Sequence, residues 1–162
     1  MRLPACLTTW LANRLRRVAE ARLPDYIVGD DHRPYLRRWW LIPRNRWFNV
    51  YLHQFLRDDD DRALHDHPWV WCSLLLAGRY REHTIDAGGI HRVAEHRAGS
   101  LRVHGPRFAH RLALRQRETC WTLFITGPRV RHWGFHCPDT GWVHWERFTA
   151  KGGRTVGRGC EP

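Results

Sequence analysis

The tripeptide His65-Asp66-His67 has the residue types and the spacing that point most directly to chemistry in this sequence. Side chains two positions apart in a β-strand lie on the same face, so His65 and His67 would converge while Asp66 points away. An apolar segment, 69–76, continues the strand after Pro68. Neutral imidazoles are common ligands of transition metals. The tripeptide therefore predicts one part of a metal site.

A third ligand is expected from another strand, and residues 99–110 provide it. This segment combines a strand, a tight turn at Gly105-Pro106, and His110 at the start of the next strand. His104 is the alternative third ligand, although it precedes the turn. The spacing gives no comparable argument for seven other histidines, most of which we interpret as ordinary polar positions: His53, His83, His91, His96, His132, His136 and His144.

These residues resemble the two sequence motifs of the cupin superfamily over about residues 47–126. The matching positions are the HxH pair, the closing glycine of the first motif, and the Gly, Pro and His of the second: His65, His67, Gly78, Gly99, Pro106 and His110. The resemblance implies a mainly β protein, a double-stranded β-helix (jelly-roll) barrel. It also implies one divalent metal ion, held between the motifs by the three histidines.

The chain departs from the cupin pattern at the usual glutamate ligand, which is replaced by Trp71 or Cys72. Glu82 is the next acidic residue. A hairpin turning at Ala77-Gly78 would place Glu82 several residues along the strand from His67. We therefore predict a site of three imidazoles with open coordination positions and no carboxylate ligand.

The segment from His65 to Glu82 also resembles the cysteine dioxygenases, which are cupins that hold Fe(II) with three histidines. Cys72 falls where the animal enzymes have a cysteine, and Tyr35-x-Arg37 falls near their carboxylate-binding arginine. The resemblance implies Fe(II). Three neutral imidazoles also suit Zn, Ni or Cu, and Mn is a further alternative. Open positions on such an ion allow substrate and O₂ to bind together. It implies substrate contacts from Arg37, Tyr35 and Cys72, to which we add Trp71 as a residue lining the pocket.

Simpler interpretations exist for each of these residues. Cysteine dioxygenases have a tyrosine and a catalytic histidine near the positions that Thr126 and Phe124 occupy here, so two residues of that family's reaction are missing. Cys72 could be a small buried apolar residue, and Arg37 a surface or structural residue. Tryptophans of the strands more simply pack in the core. Segments such as RNRWFN and GWVHW also resemble uncharacterised cupin-domain proteins of phages and prophages, which implies no reaction.

The elements that must position these residues are short strands separated by turn signals. Aromatic and β-branched residues alternate with Gly, Pro and Asp clusters, a pattern typical of an antiparallel sandwich or barrel. One of the turn signals is the acidic run at 58–61. The predicted strands lie near 47–55, 69–76, 79–85, 90–96, 100–104, 110–114, 121–126, 131–136 and 142–148.

Two further segments flank this barrel, which we place at residues 25–150. Apolar residues between 6 and 23 recur at three- and four-residue steps, which predicts an amphipathic helix ending before Pro24. We expect the helix, within domain segment 1–24, to dock on the barrel; lying on an anionic membrane is the alternative. Residues 151–162 are rich in Gly and Arg and predict a flexible basic tail.

Composition limits the partners and the compartment. The net charge of +11 is carried mostly by arginine, and with ten tryptophans it makes nucleic acid a partner to consider. The basic residues are scattered along the chain, which argues against nucleic-acid binding. Five cysteines without a CxxC pair, and no signal peptide, predict free thiols in the cytoplasm. No segment is long enough to span a membrane. Exposed edge strands make a homodimer plausible.

Three hypotheses of function follow. The first is a mononuclear metalloenzyme, an Fe(II)-type dioxygenase acting on a small polar or anionic substrate, with thiol compounds as one class. The second is a non-catalytic module that binds a metal or a small ligand. The third is an arginine-rich protein associated with nucleic acid, in which the barrel serves as a scaffold.

Overall fold

The computed structural model describes residues 1–30, 32–58, 63–114 and 118–161, so most of the acidic run near residue 60 lies outside the described residues. Two α-helices, α1 (Ala5–Ala21) and α2 (Trp145–Phe148), accompany the strands. The strands are β1 (Tyr26–Asp30), β2 (Arg33–Trp40), β3 (Asn49–Phe55), β4 (Leu64–His65), β5 (Trp71–Ala77), β6 (Arg79–Asp86), β7 (Ile90–Arg97), β8 (Leu101–His104), β9 (Arg111–Ala113), β10 (Cys120–Thr126), β11 (Gly134–Cys137), β12 (Gly141–His144), β13 (Thr149–Ala150) and β14 (Thr155–Val156).

The strands form the predicted jelly-roll barrel, a double-stranded β-helix. Among the described residues, one sheet has six strands in the order β1-β2-β3-β10-β5-β8, and a second has three in the order β7-β6-β9. The pairings are antiparallel. A smaller sheet, β12-β11-β4, joins the barrel through a bridge between His65 and His110. Tyr51, Trp71 and Phe124 fill one end of the interior, while Tyr35 and Leu75 belong to the cluster at the other end.

The N-terminal helix docks on the outer face of the six-stranded sheet. Leu11, Leu15 and Val18 of α1 pack against a layer that includes Trp39 and Trp121. The docked stripe differs from the predicted one at its ends. Leu7, Trp10 and Leu23 are exposed, and the small residues Thr8 and Ala12 are buried in their place. Small residues on the buried face let the helix approach the sheet closely.

Three local elements differ from the expectation. The hairpin β1–β2 was not predicted; Gly29 (φ +108°) makes it possible, because a Cβ there would lie 2.6 Å from the backbone nitrogen of Tyr35. The predicted strand 142–148 ends at His144, whose ring accepts the Glu146 N–H at 3.3 Å and caps α2. The predicted hairpin at Ala77-Gly78 is wrong, since β5 and β6 belong to different sheets.

The C-terminal segment is packed, in contrast to the loose tail that its composition suggested. The turn around Gly152 and Gly153 connects β13 to β14, and the Gly29 N–H donates to the Arg154 carbonyl at 2.6 Å. Cys160 forms a disulfide with Cys137, so these two cysteines are not the free thiols that we predicted. The glycines here form a tight turn. A glycine-rich composition is compatible with such a turn and with a flexible segment, so it does not distinguish between them.

Candidate metal centre

Backbone pairing brings two of the predicted ligands face to face. The His65 N–H donates to the His110 carbonyl and the His110 N–H donates to the His65 carbonyl, both at 2.9 Å. Two residues that exchange both hydrogen bonds in an antiparallel pair carry their side chains on the same face. His67 lies two residues further on, and its N–H donates to the Pro106 carbonyl at 3.2 Å. The turn of the second motif therefore holds all three histidines in one place.

The three imidazole rings form a nearly equilateral triangle. The ring centres lie 5.2 Å apart for His65 and His67, 5.0 Å for His65 and His110, and 5.2 Å for His67 and His110. One nitrogen from each ring lies within 4.8 Å of the others. Nε2 of His67 and Nε2 of His110 are 3.0 Å apart. Nitrogens bound at about 2.0–2.1 Å to one ion with angles of 90–109° lie about 2.8–3.4 Å apart, so the site fits a transition metal.

Glu82 supports the third histidine from behind. His110 Nδ1 donates to Glu82 Oε1 at 2.5 Å, which leaves Nε2 of His110 facing the other two rings. A carboxylate behind a histidine fixes the ring and raises its basicity toward a metal. The carboxylate also pairs with Arg102 and lies 3.4 Å from His96 Nε2. Burial raises the pKa of a carboxyl group, but the hydrogen bonds from His110 and His96 outweigh it and hold the pKa of Glu82 far below its usual value.

Glu82 reaches His110 because β6 crosses to the opposite sheet and pairs with β9, where Glu82 faces Leu112. The predicted hairpin had placed Glu82 several residues along the strand from the histidines. That placement was wrong, because β6 pairs with β9 instead of β5. The described group of candidate ligands contains the three histidines without a carboxylate. That no carboxylate binds the ion stays a prediction.

Asp66 anchors the motif on the side away from the three rings. Its carboxylate is 1% exposed and accepts N–H groups from Gly134 at 2.9 Å and from the indole of Trp142 at 3.1 Å. Arg131 pairs with it at 2.8 Å. These bonds fix the backbone between His65 and His67, and the alternation predicted from the sequence is confirmed.

Aromatic rings surround the histidines on the side of the barrel interior. Trp71 stacks on His110 with centres 5.1 Å apart, and Phe124 lies 5.9 Å from His67. Burial, followed by the proximity of His110 and His65, holds the pKa of His67 well below its usual value. A neutral imidazole keeps the lone pair that a metal needs. That Trp71 lines a substrate pocket stays a prediction.

His104 does not join the three rings. Its Nε2 lies 2.6 Å from an Arg102 nitrogen, and its ring stacks on Phe108 at 3.7 Å. Burial and the charge of Arg102 lower the pKa of His104 to about 4. The structure thus brings His110, rather than His104, to the HxH pair.

Arg37, the predicted carboxylate contact, faces out of the barrel, and its neighbour Arg38 faces in. Trp39 packs beneath α1 on the outer face of β2, and Arg37 shares that face because it lies two positions away. Arg38 points into the barrel instead: its Nε donates to His53 Nε2 at 2.8 Å, and its guanidinium lies 4.9 Å from the centre of the Tyr51 ring. Within the described residues, no ion pair joins Arg38 to a carboxylate. Sequence reasoning missed Arg38 because β2 had not been recognised as a strand.

The remaining predicted substrate contacts lie away from the histidines. Cys72 faces out of the barrel, opposite Val103 and Ile125 in the neighbouring strands, because Trp71 occupies the inward position. Partial burial raises the pKa of its thiol. Tyr35 packs on Phe55 in the cluster at the other end of the interior.

Comparisons with known proteins agree on the fold. FeII HppE in complex with its substrate superposes with a TM-score of 0.52 and 14% identity, over 65% of this chain and 57% of HppE. A point mutant of Bacillus subtilis oxalate decarboxylase gives a TM-score of 0.51 and 14% identity, over 68% of this chain and 30% of the enzyme. This chain therefore spans little more than half the length of HppE and under a third of the decarboxylase.

A third similar structure is an uncharacterised protein with a double-stranded β-helix domain from Klebsiella pneumoniae, with a TM-score of 0.50, 14% identity and coverage of 68% and 90%. No protein-family model matches the chain. No curated protein matches it either, so the likeness to cysteine dioxygenases and to phage proteins stays a prediction. None of the described helices has the length and apolar character needed to cross a membrane. At these identities the neighbours show that the chain has the cupin-type double-stranded β-helix fold.

Proposed function

We propose that this chain is a mononuclear metalloenzyme that binds Fe(II) through His65, His67 and His110 and oxidises a small polar or anionic compound. The observation that carries the proposal is the triangle of imidazoles inside the barrel, with Glu82 behind His110. Fe(II) held there would supply a redox-active centre with open positions for O₂ and substrate. The named neighbours support a metal of this kind, since HppE contains Fe(II) and oxalate decarboxylase contains Mn(II).

The anionic character of the substrate follows from Arg38. Its guanidinium lies in the barrel without a described carboxylate partner, and a guanidinium recognises carboxylate or phosphonate groups through paired hydrogen bonds. A series of ring contacts leads from Arg38 to the metal site: the His53 ring stacks on Phe124 with centres 5.2 Å apart, and the centre of Phe124 lies 5.9 Å from that of His67. Oxalate decarboxylase is named for oxalate, which is an anion.

His53 assists Arg38 as a neutral hydrogen-bond acceptor. Burial, followed by the charge of Arg38, keeps the pKa of His53 well below its usual value. Neutral His53 holds the Nε of Arg38 and leaves the two terminal nitrogens of the guanidinium for a bound anion. The residues of this chain therefore bind and orient an anion beside the three histidines.

The test compares two neighbouring arginines on opposite faces of β2. Protein loaded anaerobically with Fe(II) is mixed with oxalate, a small phosphonic acid or cysteine; binding is followed by tryptophan fluorescence, and O₂ uptake is measured on addition of air. Arg38→Gln should weaken binding of the anion by about 10- to 150-fold, the range of a hydrogen bond to a charged group. Arg37→Gln should change it less than twofold. Equal effects of the two substitutions would contradict the role of Arg38.

A non-catalytic metal- or ligand-binding module is the second candidate. The observation that favours it is the close packing of Trp71 on His110 and of Phe108 at 5.6 Å from the same ring, which leaves little space for a substrate on that side. Tightly bound Zn, with no O₂ uptake for any of the three compounds, would support this candidate over the oxygenase.

A further inference from the structure

The loops around the histidine site leave the barrel from one common edge. Neighbouring strands pair there in one row: Asn49 begins β3 opposite Thr126 at the end of β10, Trp71 begins β5 opposite Thr126, and His104 ends β8 opposite Trp71. Trp40 ends β2 beside Tyr51. The connecting segments 41–48, 66–70, 105–110 and 127–133 therefore surround one opening, which we call the metal end.

Backbone hydrogen bonds tie three of these segments together. The Val130 N–H donates to the Pro68 carbonyl and the Gly127 N–H donates to the Val70 carbonyl, both at 2.8 Å. An Arg131 guanidinium nitrogen donates to the Pro106 carbonyl at 3.1 Å. These three loops are thus fixed with respect to one another.

The charge at the metal end is predominantly positive. The four segments contain five arginines and one acidic residue, Asp66. Asp25, which accepts the Trp40 N–H at this end, pairs with Arg22. Arg131 pairs with Asp66, whereas Arg44, Arg46, Arg107 and Arg129 are exposed and, among the described residues, form no ion pair with a carboxylate. Asp30, Asp58 and Glu118 lie at the opposite end of the strands. The fold therefore gathers, at one end, arginines that are scattered in the sequence.

Aromatic side chains lie exposed among these arginines. Trp47 is 63% exposed and Phe48 is 51% exposed, although both are large apolar residues. The Arg46 guanidinium lies 4.6 Å from the centre of the Trp47 ring. The loop that carries them is ordered by Asn45, whose side chain accepts the N–H groups of Trp47 and Phe48 at 2.9 and 3.0 Å. These rings are therefore held outward.

We propose that this surface binds single-stranded nucleic acid. The residues that would bind it, which we call the basic rim, are Arg44, Arg46, Arg107 and Arg129 together with Trp47 and Phe48. Arginines along the rim would contact phosphates, and the exposed rings would stack on bases, which a single strand exposes and a duplex does not. A purely acidic protein or an anionic small molecule would account for the arginines but not for the exposed rings beside them. The proposal goes beyond the metal chemistry and does not depend on it.

The test is a titration of 5′-fluorescein-labelled dT₂₀ with the full chain, followed by fluorescence anisotropy at several salt concentrations. Neutralisation of about four phosphates gives a slope of about −2.8 in log affinity against log salt, hence a loss of about 50-fold between 50 and 200 mM salt. The double variant Arg44→Glu/Arg46→Glu should lower the magnitude of this slope by about 1.4. His110→Ala should leave binding of dT₂₀ unchanged, which separates this proposal from the metal site.

Matched controls lie on α1. Trp10 is 61% exposed, close to the value for Trp47. Trp47→Ala should weaken binding by at least about fivefold, the lower limit for one stacked base, and Trp10→Ala by less than twofold. Arg14→Glu/Arg17→Glu changes the net charge as much as the rim variant does and should have a smaller effect. Equal losses in the rim and α1 variants, tighter binding of a duplex of equal length, or absence of binding at 50 mM salt would overturn the proposal.

Discussion

Glu82→Gln isolates the contribution of the carboxylate behind His110. The change removes one negative charge from a side chain that is 3% exposed and that contacts His110, Arg102 and His96. The glutamine can still accept the His110 Nδ1–H, but as a neutral group it no longer raises the basicity of Nε2. Substitution of such outer partners lowers metal affinity by about 10- to 100-fold, or about 1.4–2.7 kcal/mol.

Metal affinity is measured by competition between the protein and a chelator for Zn²⁺ or Co²⁺, at a temperature where circular dichroism shows the variant folded. Since Arg102 loses its buried partner, the variant should also unfold more readily, by about 3–5 kcal/mol. Glu95→Gln is the control, because Glu95 pairs with Arg97 on the exposed strand β7. Unchanged metal affinity in a folded Glu82→Gln protein would refute the idea that Glu82 tunes the site.

Two further predictions concern stability. Burial and the charge of Arg38 lower the pKa of His53 below the usual value of 6.5. Below about pH 6.5 the unfolded chain therefore takes up a proton that the folded chain does not. The unfolding free energy then falls by up to about 1.4 kcal/mol for each unit by which the pH is lowered. His53→Gln, which keeps an acceptor for Arg38, should make this slope shallower in urea titrations of the metal-free protein between pH 6.5 and 5; an unchanged slope contradicts the assignment. Cys137→Ser opens a disulfide of sequence separation 23 to Cys160 and should lower the unfolding free energy by about 3 kcal/mol, measured by denaturant unfolding against Cys6→Ser, an exposed free cysteine.

Much of the site could be predicted from local patterns. The two-residue period of a strand places His65 and His67 together, and a Gly-Pro turn returns His110 to them, so the structure forms the expected cluster. The long-range partners could not be predicted in this way. Glu82 is near His110 because β6 crosses between sheets, a fact that depends on the whole topology.

The fold was predictable to the same degree. Strands with strong alternation and the docked helix were recognised, since their signals are local. The hairpin β1–β2 was missed, and with it the face on which Arg38 lies, because a shift of one residue in a strand exchanges the two faces. The disulfide between Cys137 and Cys160 joins residues distant in sequence, and no recognisable cysteine spacing predicts it.

The metal content of three proteins purified without added metal tests the central claim most directly. The wild type and His104→Ala should each carry about one transition-metal ion per chain by elemental analysis, and His110→Ala should carry almost none, because the three ligands act as a set. A His104→Ala protein without metal beside a fully loaded His110→Ala protein would contradict the account of this site.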